Sequence, residues 1–312
     1  MVKEKVIVML SGGLDSRLAV KLMQEKGFDV LALHFKLPFG TGCCDENCSF
    51  NFSQMAGVKL KVFDCTKGEL FKEYLDVVRK PKYGYGTCMN PCIDCRIFML
   101  KKAREFADAK NFSKKNFGAT KSKIAPTRRS QEDFVGKNKI KLIATGEVLN
   151  ERPMSQNAKA MKIIEKESGL EERLIRPLCD IGIKGRSRKK QIALAEKFKI
   201  SYPNPGGGCL LCEKELKERI KDLLKNKNAN EQEALLINIG RHFENSKIIL
   251  GKNKKENDVL EKMKGIKIIP KQAGATALIA DKKLEDKAKK LIQKYSKHKI
   301  KVFEVRIEYN NI

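Results

Sequence analysis

The stretch Lys5-Val-Ile-Val-Met-Leu-Ser-Gly-Gly-Leu-Asp-Ser16 decides the fold of this chain. Its apolar residues, several of them β-branched, predict a buried strand over residues 5–10 that stops at the two glycines. Residues 15–26 then carry apolar side chains at helical spacing. A buried strand that leads through a glycine turn into a helix is typical of α/β folds with a parallel sheet.

Further strands are predicted at residues 29–35, 60–64 and 141–145, with helical stretches between some of them. The alternation predicts an α/β domain whose parallel sheet is covered by helices on both faces. Ligands of such sheets bind beyond the carboxyl ends of the strands. Both the glycine turn and Gly146-Glu147 fall at such ends.

The segment Ser11–Ser16, called the glycine loop below, has the composition of an anion site. Glycines let the backbone approach a ligand closely, and the N–H groups at a helix start attract negative charge. Ser11 and Ser16 add hydroxyl groups, while Asp15 could hold Mg²⁺ or cap the helix. No lysine follows Gly12 and Gly13, so this is not a Walker-type loop. A glycine turn without a ligand is the alternative.

The charge balance points to polyanions. The chain has 312 residues, of which 65 are Lys or Arg and 38 are Asp or Glu, for a formal net charge of +27. Nucleic acid is the first partner to consider and an anionic membrane surface the second, while a solvated lysine-rich surface is the alternative. No apolar run approaches the length of a membrane span, so we expect no membrane partner and a cytoplasmic location.

Two domains are expected. Residues 1–212 form the first, in which residues 110–141 are a basic insertion with ten Lys or Arg against two acids. After residue 212 the composition shifts, and short apolar runs alternate with helical stretches, which predicts a smaller α+β domain over residues 213–312.

The ten cysteines include two CxxC pairs, Cys92 with Cys95 and Cys209 with Cys212, and the first pair stands just before a helical stretch predicted over residues 97–107. Thiols stay reduced in the cytoplasm, so metal ligation or sulfur chemistry is the better expectation than a disulfide framework. Two pairs could form a structural Cys₄ zinc site, three thiolates could hold a [4Fe–4S] cluster, and one pair could be redox-active. A further group, Cys43, Cys44 and Cys48, has no assigned role.

The glycine loop matches the SGGxDS signature of the PP-loop ATP pyrophosphatases. This resemblance implies a parallel-sheet adenine-nucleotide alpha-hydrolase-like (HUP) fold. It also implies a loop that grips the pyrophosphate of ATP while the substrate attacks the α-phosphate. The residues that would bind ATP and Mg²⁺ are Ser11, Gly12, Gly13, Asp15 and Ser16.

Residues 90–95, 145–149, 152–156 and 207–211 resemble, in order, segments of tRNA thiolases within the same superfamily. The resemblance implies an enzyme that adenylates a uridine carbonyl oxygen and replaces it with sulfur from sulfide or a persulfide carrier. It also implies a [4Fe–4S] cluster on Cys92, Cys95 and Cys209, which with Asp15 would be the catalytic residues. Cys88 and Cys212 depart from the pattern, and Cys212 leaves zinc as an alternative metal.

Residues 241–257 resemble, more weakly, the RNA-binding module of NFACT proteins, which implies that the second domain binds tRNA. Residues 213–312 hold 25 Lys or Arg against 15 acids, in agreement with such a partner. Two other functions stay open. One is a PP-loop adenylating ligase or amidotransferase with structural zinc, and the other is a non-catalytic RNA-binding protein.

Overall fold

The computed structural model describes residues 3–40, 46–108, 140–204 and 208–308. The chain divides into two compact units, residues 1–213 and 214–312. The predicted basic insertion lies outside the described residues except for its last two positions. No helix in the described ranges is both long and apolar enough to cross a membrane.

The first unit is built on a five-stranded parallel sheet in the order β3-β2-β1-β4-β5. The central strand, β1, is fully buried at Val6, Ile7 and Val8, because helices cover both faces of the sheet. The strands are β1 (Lys5–Met9), β2 (Asp29–Lys36), β3 (Lys59–Asp64), β4 (Leu142–Thr145) and β5 (Leu174–Ile175). The predicted α/β class is therefore confirmed.

Helices of the first unit connect and cover these strands. Helix α1 begins directly after the glycine turn, and its apolar side chains pack on the sheet and on later helices. The sequence did not predict α2, α3 or the two-residue strand β5. The helices are α1 (Leu14–Glu25), α2 (Glu46–Met55), α3 (Gly68–Arg79), α4 (Cys92–Asp108), α5 (Ala158–Ser168), α6 (Pro177–Asp180) and α7 (Lys189–Lys197).

The register of the sheet brings two loops together. Met9, the last residue of β1, pairs with Thr145, the last residue of β4. The glycine loop and Gly146 therefore leave the sheet side by side, at its carboxyl edge. Ligands of open α/β sheets bind at this edge.

The second unit has a five-stranded antiparallel sheet in the order β10-β8-β9-β7-β6. Its core contains aliphatic side chains such as Ile248, Leu250 and Ile268, against which α11 packs Ile292. The predicted helix over residues 213–226 begins later, at Lys217, after one turn of 3₁₀ helix. The elements are α8 (Lys217–Lys225), α9 (Glu231–Leu236), β6 (Arg241–Phe243), β7 (Ile248–Leu250), α10 (Lys254–Glu261), β8 (Gly265–Pro270), β9 (Ala277–Ile279), α11 (Glu285–Lys294) and β10 (Phe303–Glu308).

Candidate active site

The glycine loop turns sharply between β1 and α1. Gly12 has φ +89°, a left-handed conformation that glycine adopts without strain. Gly13 occupies the N-cap position of α1 and offers no side-chain cap. The Ser16 hydroxyl donates to the Gly13 carbonyl at 2.8 Å, and the Ser11 hydroxyl donates to Ser16 at 3.2 Å. The loop thus leaves the N–H groups of the first helical turn without a side-chain cap, where they attract an anion.

Asp15 lies in the first turn of α1 and does not cap it. Burial raises the pKa of its carboxyl, while the guanidinium groups of Arg188 and Arg152 and the Gln191 amide act in the opposite direction. Its Oδ1 atom is buried and has no hydrogen-bond partner among the described residues. A partly buried carboxylate with an open oxygen is a suitable ligand for a divalent cation.

Arg17 ties the loop to distant parts of the unit. Its guanidinium is buried and donates to the Gly12 carbonyl at 2.7 Å and to the Ser201 carbonyl at 2.6 Å. A third nitrogen donates to the Cys48 sulfur at 2.9 Å. Cys48 therefore lies beside the glycine loop, whereas Cys43 and Cys44 lie outside the described residues.

Glu147 follows β4 and is 1% exposed. Its carboxylate accepts from Arg176 Nε at 3.2 Å and from the Thr145 hydroxyl at 3.2 Å, and Arg96 Nε lies 3.6 Å from its other oxygen. Arg96 is the residue after Cys95 on α4. The carboxylate therefore connects the strand beside the glycine loop to the helix that carries the first cysteine pair.

The first cysteine pair lies inside a helix. The sequence predicted Cys92 and Cys95 just before a helical stretch that starts at Ile97, but α4 already begins at Cys92. Both thiols therefore project from the first turn of α4. The Cys95 sulfur lies 3.5 Å from the hydroxyl of Tyr74, a fully buried residue on α3.

Hydrogen bonds of Met89 and Asn90 hold the second cysteine pair next to the first. The Met89 amide donates to the Leu211 carbonyl at 2.9 Å, and Asn90 bridges the two pairs. The Asn90 amide donates to the Cys212 sulfur at 2.7 Å, and the Cys92 thiol donates to the Asn90 carbonyl oxygen at 3.1 Å. We call Cys92, Cys95, Cys209 and Cys212 the cysteine cluster.

The thiols of the cluster influence one another's pKa values. Burial, together with the neighbouring Cys95, Cys212 and Cys92, raises the pKa of Cys209 to about 12. Burial also raises the pKa of Cys92 and Cys95. Thiols in such surroundings are protonated at neutral pH, and a bound metal ion would reverse this because it binds thiolates.

As donors, the four thiols fit a thiophilic metal or an iron–sulfur cluster. Among the described residues, however, no group of three or more His, Cys, Asp or Glu side chains is spaced as metal ligands are. Cys212 is near enough to Cys92 and Cys209 to raise the pKa of both thiols, although it is not part of the three-cysteine set predicted from resemblance. The ligand set Cys92, Cys95 and Cys209 stays a prediction.

Sequence reasoning missed several residues of this site. Arg188 and Gln191 face Asp15 from α7, and Tyr74 contacts Cys95 from α3. No motif singles them out, since each is an ordinary polar position in a helical stretch far along the chain. Asn90 stands within a quoted motif, but its bridging role requires the second cysteine pair to be in place.

Comparison with known proteins agrees with this geometry. The tRNA methyl transferase HUP domain family matches residues 4–122. The tRNA-specific 2-thiouridylase MnmA of Clostridium acetobutylicum is 33% identical over 116 residues, which are 32% of this chain and 32% of that protein. The MnmA of Synechocystis is 29% identical over 121 residues, which are 38% of this chain and 32% of that protein.

The chain thus spans about a third of the length of the curated relatives it matches. A solved structure, a predicted subunit of tRNA methyltransferase from Methanocaldococcus jannaschii, covers 74% of this chain and 91% of its own length at 16% identity. The TM-score of this match is 0.37. In its N-terminal part, the chain is therefore similar to the tRNA methyl transferase HUP domain family and to tRNA-specific 2-thiouridylases.

Proposed function

We propose that this protein is an ATP-dependent tRNA uridine thiolase. One observation carries the proposal: Arg152 acts on both the Asp15 carboxyl and the Cys92 thiol, and in each case opposes the rise in pKa that burial causes. The Arg152 guanidinium is therefore near both Asp15 of the glycine loop and Cys92 of the cysteine cluster. An enzyme that activates an oxygen with ATP and then replaces it with sulfur needs both sets of groups at one site.

The reaction has two steps. The uridine carbonyl oxygen attacks the α-phosphorus of ATP, the bond to the β-phosphate oxygen breaks, and pyrophosphate leaves. Sulfide then attacks the activated carbon, and AMP leaves with the former uridine oxygen. Where a persulfide carrier is the donor, its terminal sulfur attacks instead and AMP leaves in the same way. A cysteine thiol must then attack the inner sulfur of the carrier, which breaks the S–S bond, leaves the outer sulfur on the uridine and releases the carrier sulfur as a disulfide. The first step converts a poor leaving group into a good one, which is why ATP is consumed.

The residues of the chain have distinct tasks in these steps. Ser11, Gly12, Gly13 and Ser16 would hold the phosphates with backbone N–H and hydroxyl donors, and Asp15 would hold Mg²⁺. The Arg152 guanidinium lies where it can orient the phosphates relative to the cysteine cluster.

The thiols Cys92, Cys95 and Cys209 would hold the metal group. A [4Fe–4S] cluster held by these three thiolates would supply the chemistry that binds sulfide. The fully buried Tyr74 places its hydroxyl 3.5 Å from the Cys95 sulfur, and this contact fixes the position of that thiol. The residues of the chain thereby keep the sulfur source close to the activated uridine.

A second candidate function has a specific observation in its favour. Asn90 joins Cys212 to Cys92, so the fourth thiol is part of the cluster rather than a bystander. Four cysteines suit structural zinc, and an adenylating ligase or amidotransferase that uses ammonia would need no cluster. Metal analysis of anaerobically purified protein separates the two, because iron with acid-labile sulfide supports the thiolase and stoichiometric zinc supports the ligase.

We propose that residues 213–312 bind the tRNA. Their excess of basic residues attracts the phosphate backbone. In addition, the Arg241 guanidinium lies 4.8 Å from the ring centre of Tyr295, whose side chain is 43% exposed. An exposed ring of this kind can stack on an unpaired base.

The deciding experiment measures pyrophosphate release from ATP in the presence and absence of tRNA. We expect release that depends on tRNA and falls at least about 100-fold in Asp15→Asn, since the metal and phosphate position is lost. Asp76→Asn is the matched control, because Asp76 is exposed on α3 and far from the loop in sequence. Nucleoside mass spectrometry of tRNA from a deletion strain completes the test, and an unchanged set of thiolated uridines would overturn the proposal.

A further inference from the structure

Buried polar atoms without partners are concentrated at one place in the first unit. Five buried side-chain nitrogen or oxygen atoms have no hydrogen-bond partner among the described residues. Four of them belong to three residues, of which Arg188 and Gln191 are near enough to Asp15 to influence its pKa: Asp15 Oδ1, Arg188 Nε and both amide atoms of Gln191. Folded proteins satisfy most buried polar atoms, because a buried polar atom without a partner has lost its hydrogen bonds to water and gained none in return. Such a concentration indicates a ligand that supplies the missing partners.

The start of α7 lies near Asp15 of the glycine loop. Arg188 is the N-cap residue of this helix, and Gln191 lies in its first turn with 0% of its surface exposed. Both side chains act on the Asp15 carboxyl, and α7 packs its Ala195 against the apolar side chains of α1. The Gln191 amide is near enough to Asp15 to influence its pKa, although neither of its polar atoms has a hydrogen-bonded partner.

The charged side chains around Asp15 indicate the chemical class of the ligand. Besides Asp15 there is a second carboxylate, Glu151, whose pKa is raised by burial and by the charge of Asp15. Arg152 and Arg188 act on both carboxylates. An anion alone would be repelled by the two carboxylates, and a cation alone by the two guanidinium groups. A polyphosphate that carries a divalent cation satisfies both pairs at once.

We propose that Arg188 and Arg152 bind the β- and γ-phosphates of ATP, with Gln191 hydrogen-bonded between those phosphates and Asp15. The β- and γ-phosphates are the part of ATP with the greatest negative charge, and they leave as pyrophosphate. The glycine loop then contacts the polyphosphate from one side and α7 from the other. This inference rests on the proposed use of ATP by the glycine loop, but not on thiolation or on tRNA.

The test titrates the full-length protein with Mg²⁺-pyrophosphate, Mg²⁺-ATP and AMP. In Arg188→Gln we expect affinity for pyrophosphate and ATP to fall about 10- to 100-fold, while AMP affinity stays unchanged. Arg186→Gln is the matched control, since Arg186 is exposed on the same loop. Equal affinities in Arg188→Gln and in the control would overturn the inference. So would a loss that is as large for AMP as for ATP.

A second variant separates ligand binding from a structural role. Gln191→Met keeps the volume and removes the unpaired amide, so the melting temperature without ligand should stay equal or rise. The increase in melting temperature caused by Mg²⁺-pyrophosphate should shrink. A lower melting temperature without ligand, together with a full ligand-induced increase, would mean that Gln191 serves the fold.

The outcomes also separate this inference from the proposed function. Wild-type protein that binds ATP through Arg188 but leaves tRNA unmodified would retain the inference and remove the thiolase. Wild-type protein that thiolates tRNA while Arg188→Gln binds ATP normally would do the reverse.

Discussion

Gly146 lies directly against the backbone of Asp15. A Cβ atom on Gly146 would lie 2.5 Å from the Asp15 carbonyl carbon and 2.7 Å from the Ser16 amide nitrogen. Real side chains do not tolerate such distances, so the end of β4 can approach the glycine loop this closely only with glycine at this position. The geometry of the loop therefore depends on β4 as well as on β1.

Replacement of this glycine should disturb the site. In Gly146→Ala we expect a loss of about 1–3 kcal/mol of unfolding free energy from overpacking, together with weaker ATP binding. Urea unfolding and ATP titration measure the two effects. Gly40→Ala is the control, because its new Cβ would lie 3.5 Å from the nearest heavy atom, an ordinary contact. Wild-type ATP affinity in Gly146→Ala would contradict the expected displacement of Asp15.

The buried carboxylate of Glu147 should be important for stability. Glu147→Gln leaves the positive charge of Arg176 with one carboxylate fewer, and we expect a loss of about 3 kcal/mol in denaturant unfolding. A double-mutant cycle with Arg176→Met isolates the pairwise energy. A coupling near zero would show that Arg176 is held by Glu165, which it contacts at 2.7 Å, rather than by Glu147.

Metal loading should release protons from the cysteine cluster. The raised pKa values of Cys92, Cys95 and Cys209 mean that these thiols are protonated at pH 7, and a metal displaces their protons. We therefore expect about three protons released per metal group, and an apparent metal affinity that rises with pH. A pH indicator in weakly buffered, anaerobic solution measures the release. Release of fewer protons per metal group by Cys212→Ser than by the wild type would show that the fourth thiol is a ligand.

Stability should depend on pH through Lys61 on β3. Burial lowers the pKa of its ammonium to about 8, whereas an unfolded lysine has a pKa of about 10.4. Between these values the unfolded state binds a proton that the folded state lacks, so this contribution to stability rises with pH and is lost as pH falls through 8. Lys61→Met should therefore be more stable than wild type at pH 7, with an advantage that disappears toward pH 10.4.

Chemical denaturation across this pH range measures the difference. Lys59→Met is the control, since Lys59 is exposed on the same strand. An advantage of Lys61→Met that does not change with pH would mean that lost packing, not the buried charge, sets it.

Stacking by the second unit can be tested with short RNA. The Phe243 ring lies 5.9 Å from the Tyr295 ring, and the Arg241 guanidinium also contacts Tyr295. Arg241 and Phe243 belong to β6, the edge strand at the other end of the sheet from β10. Two aromatic rings and a guanidinium group are therefore combined at this edge. Tyr295→Ala should weaken binding of unpaired RNA by about 1–3 kcal/mol at fixed salt, measured by fluorescence anisotropy. Val302→Ala, another exposed apolar position of this unit, should have no effect. Equal affinities in both variants would assign RNA binding to charge alone.

The fold of the first unit was predictable where periodicity is strong. The apolar run after Lys5 and the glycines after Leu10 predicted β1 and α1, and the structure confirms both within a residue or two. The strand β5 was missed because two residues carry no period. Helix α4 was predicted to start at Ile97 but begins at Cys92, directly after Pro91, because proline is common at a helix start.

The candidate site was predictable only where a motif is continuous in sequence. Ser11–Ser16 and the pair Cys92 and Cys95 could be found in this way. Gln191 and Arg188 could not, because their importance arises from partners some 170 residues earlier, and nothing in their local pattern differs from an ordinary solvated helix. Tertiary structure alone reveals that their polar atoms are buried and unpaired.

The guanidinium of Arg17 has a consequence for synthesis on the ribosome. Its bond to the Ser201 carbonyl spans 184 positions of the chain. Protein domains fold as units during translation, and contacts of high sequence separation form late. The glycine loop leaves the ribosome well before Ser201 does, so it gains this hydrogen bond only after the chain up to that residue has been synthesised. A nascent chain that stalls before residue 201 would expose a loop without this support, so nucleotide binding could report on the completion of synthesis.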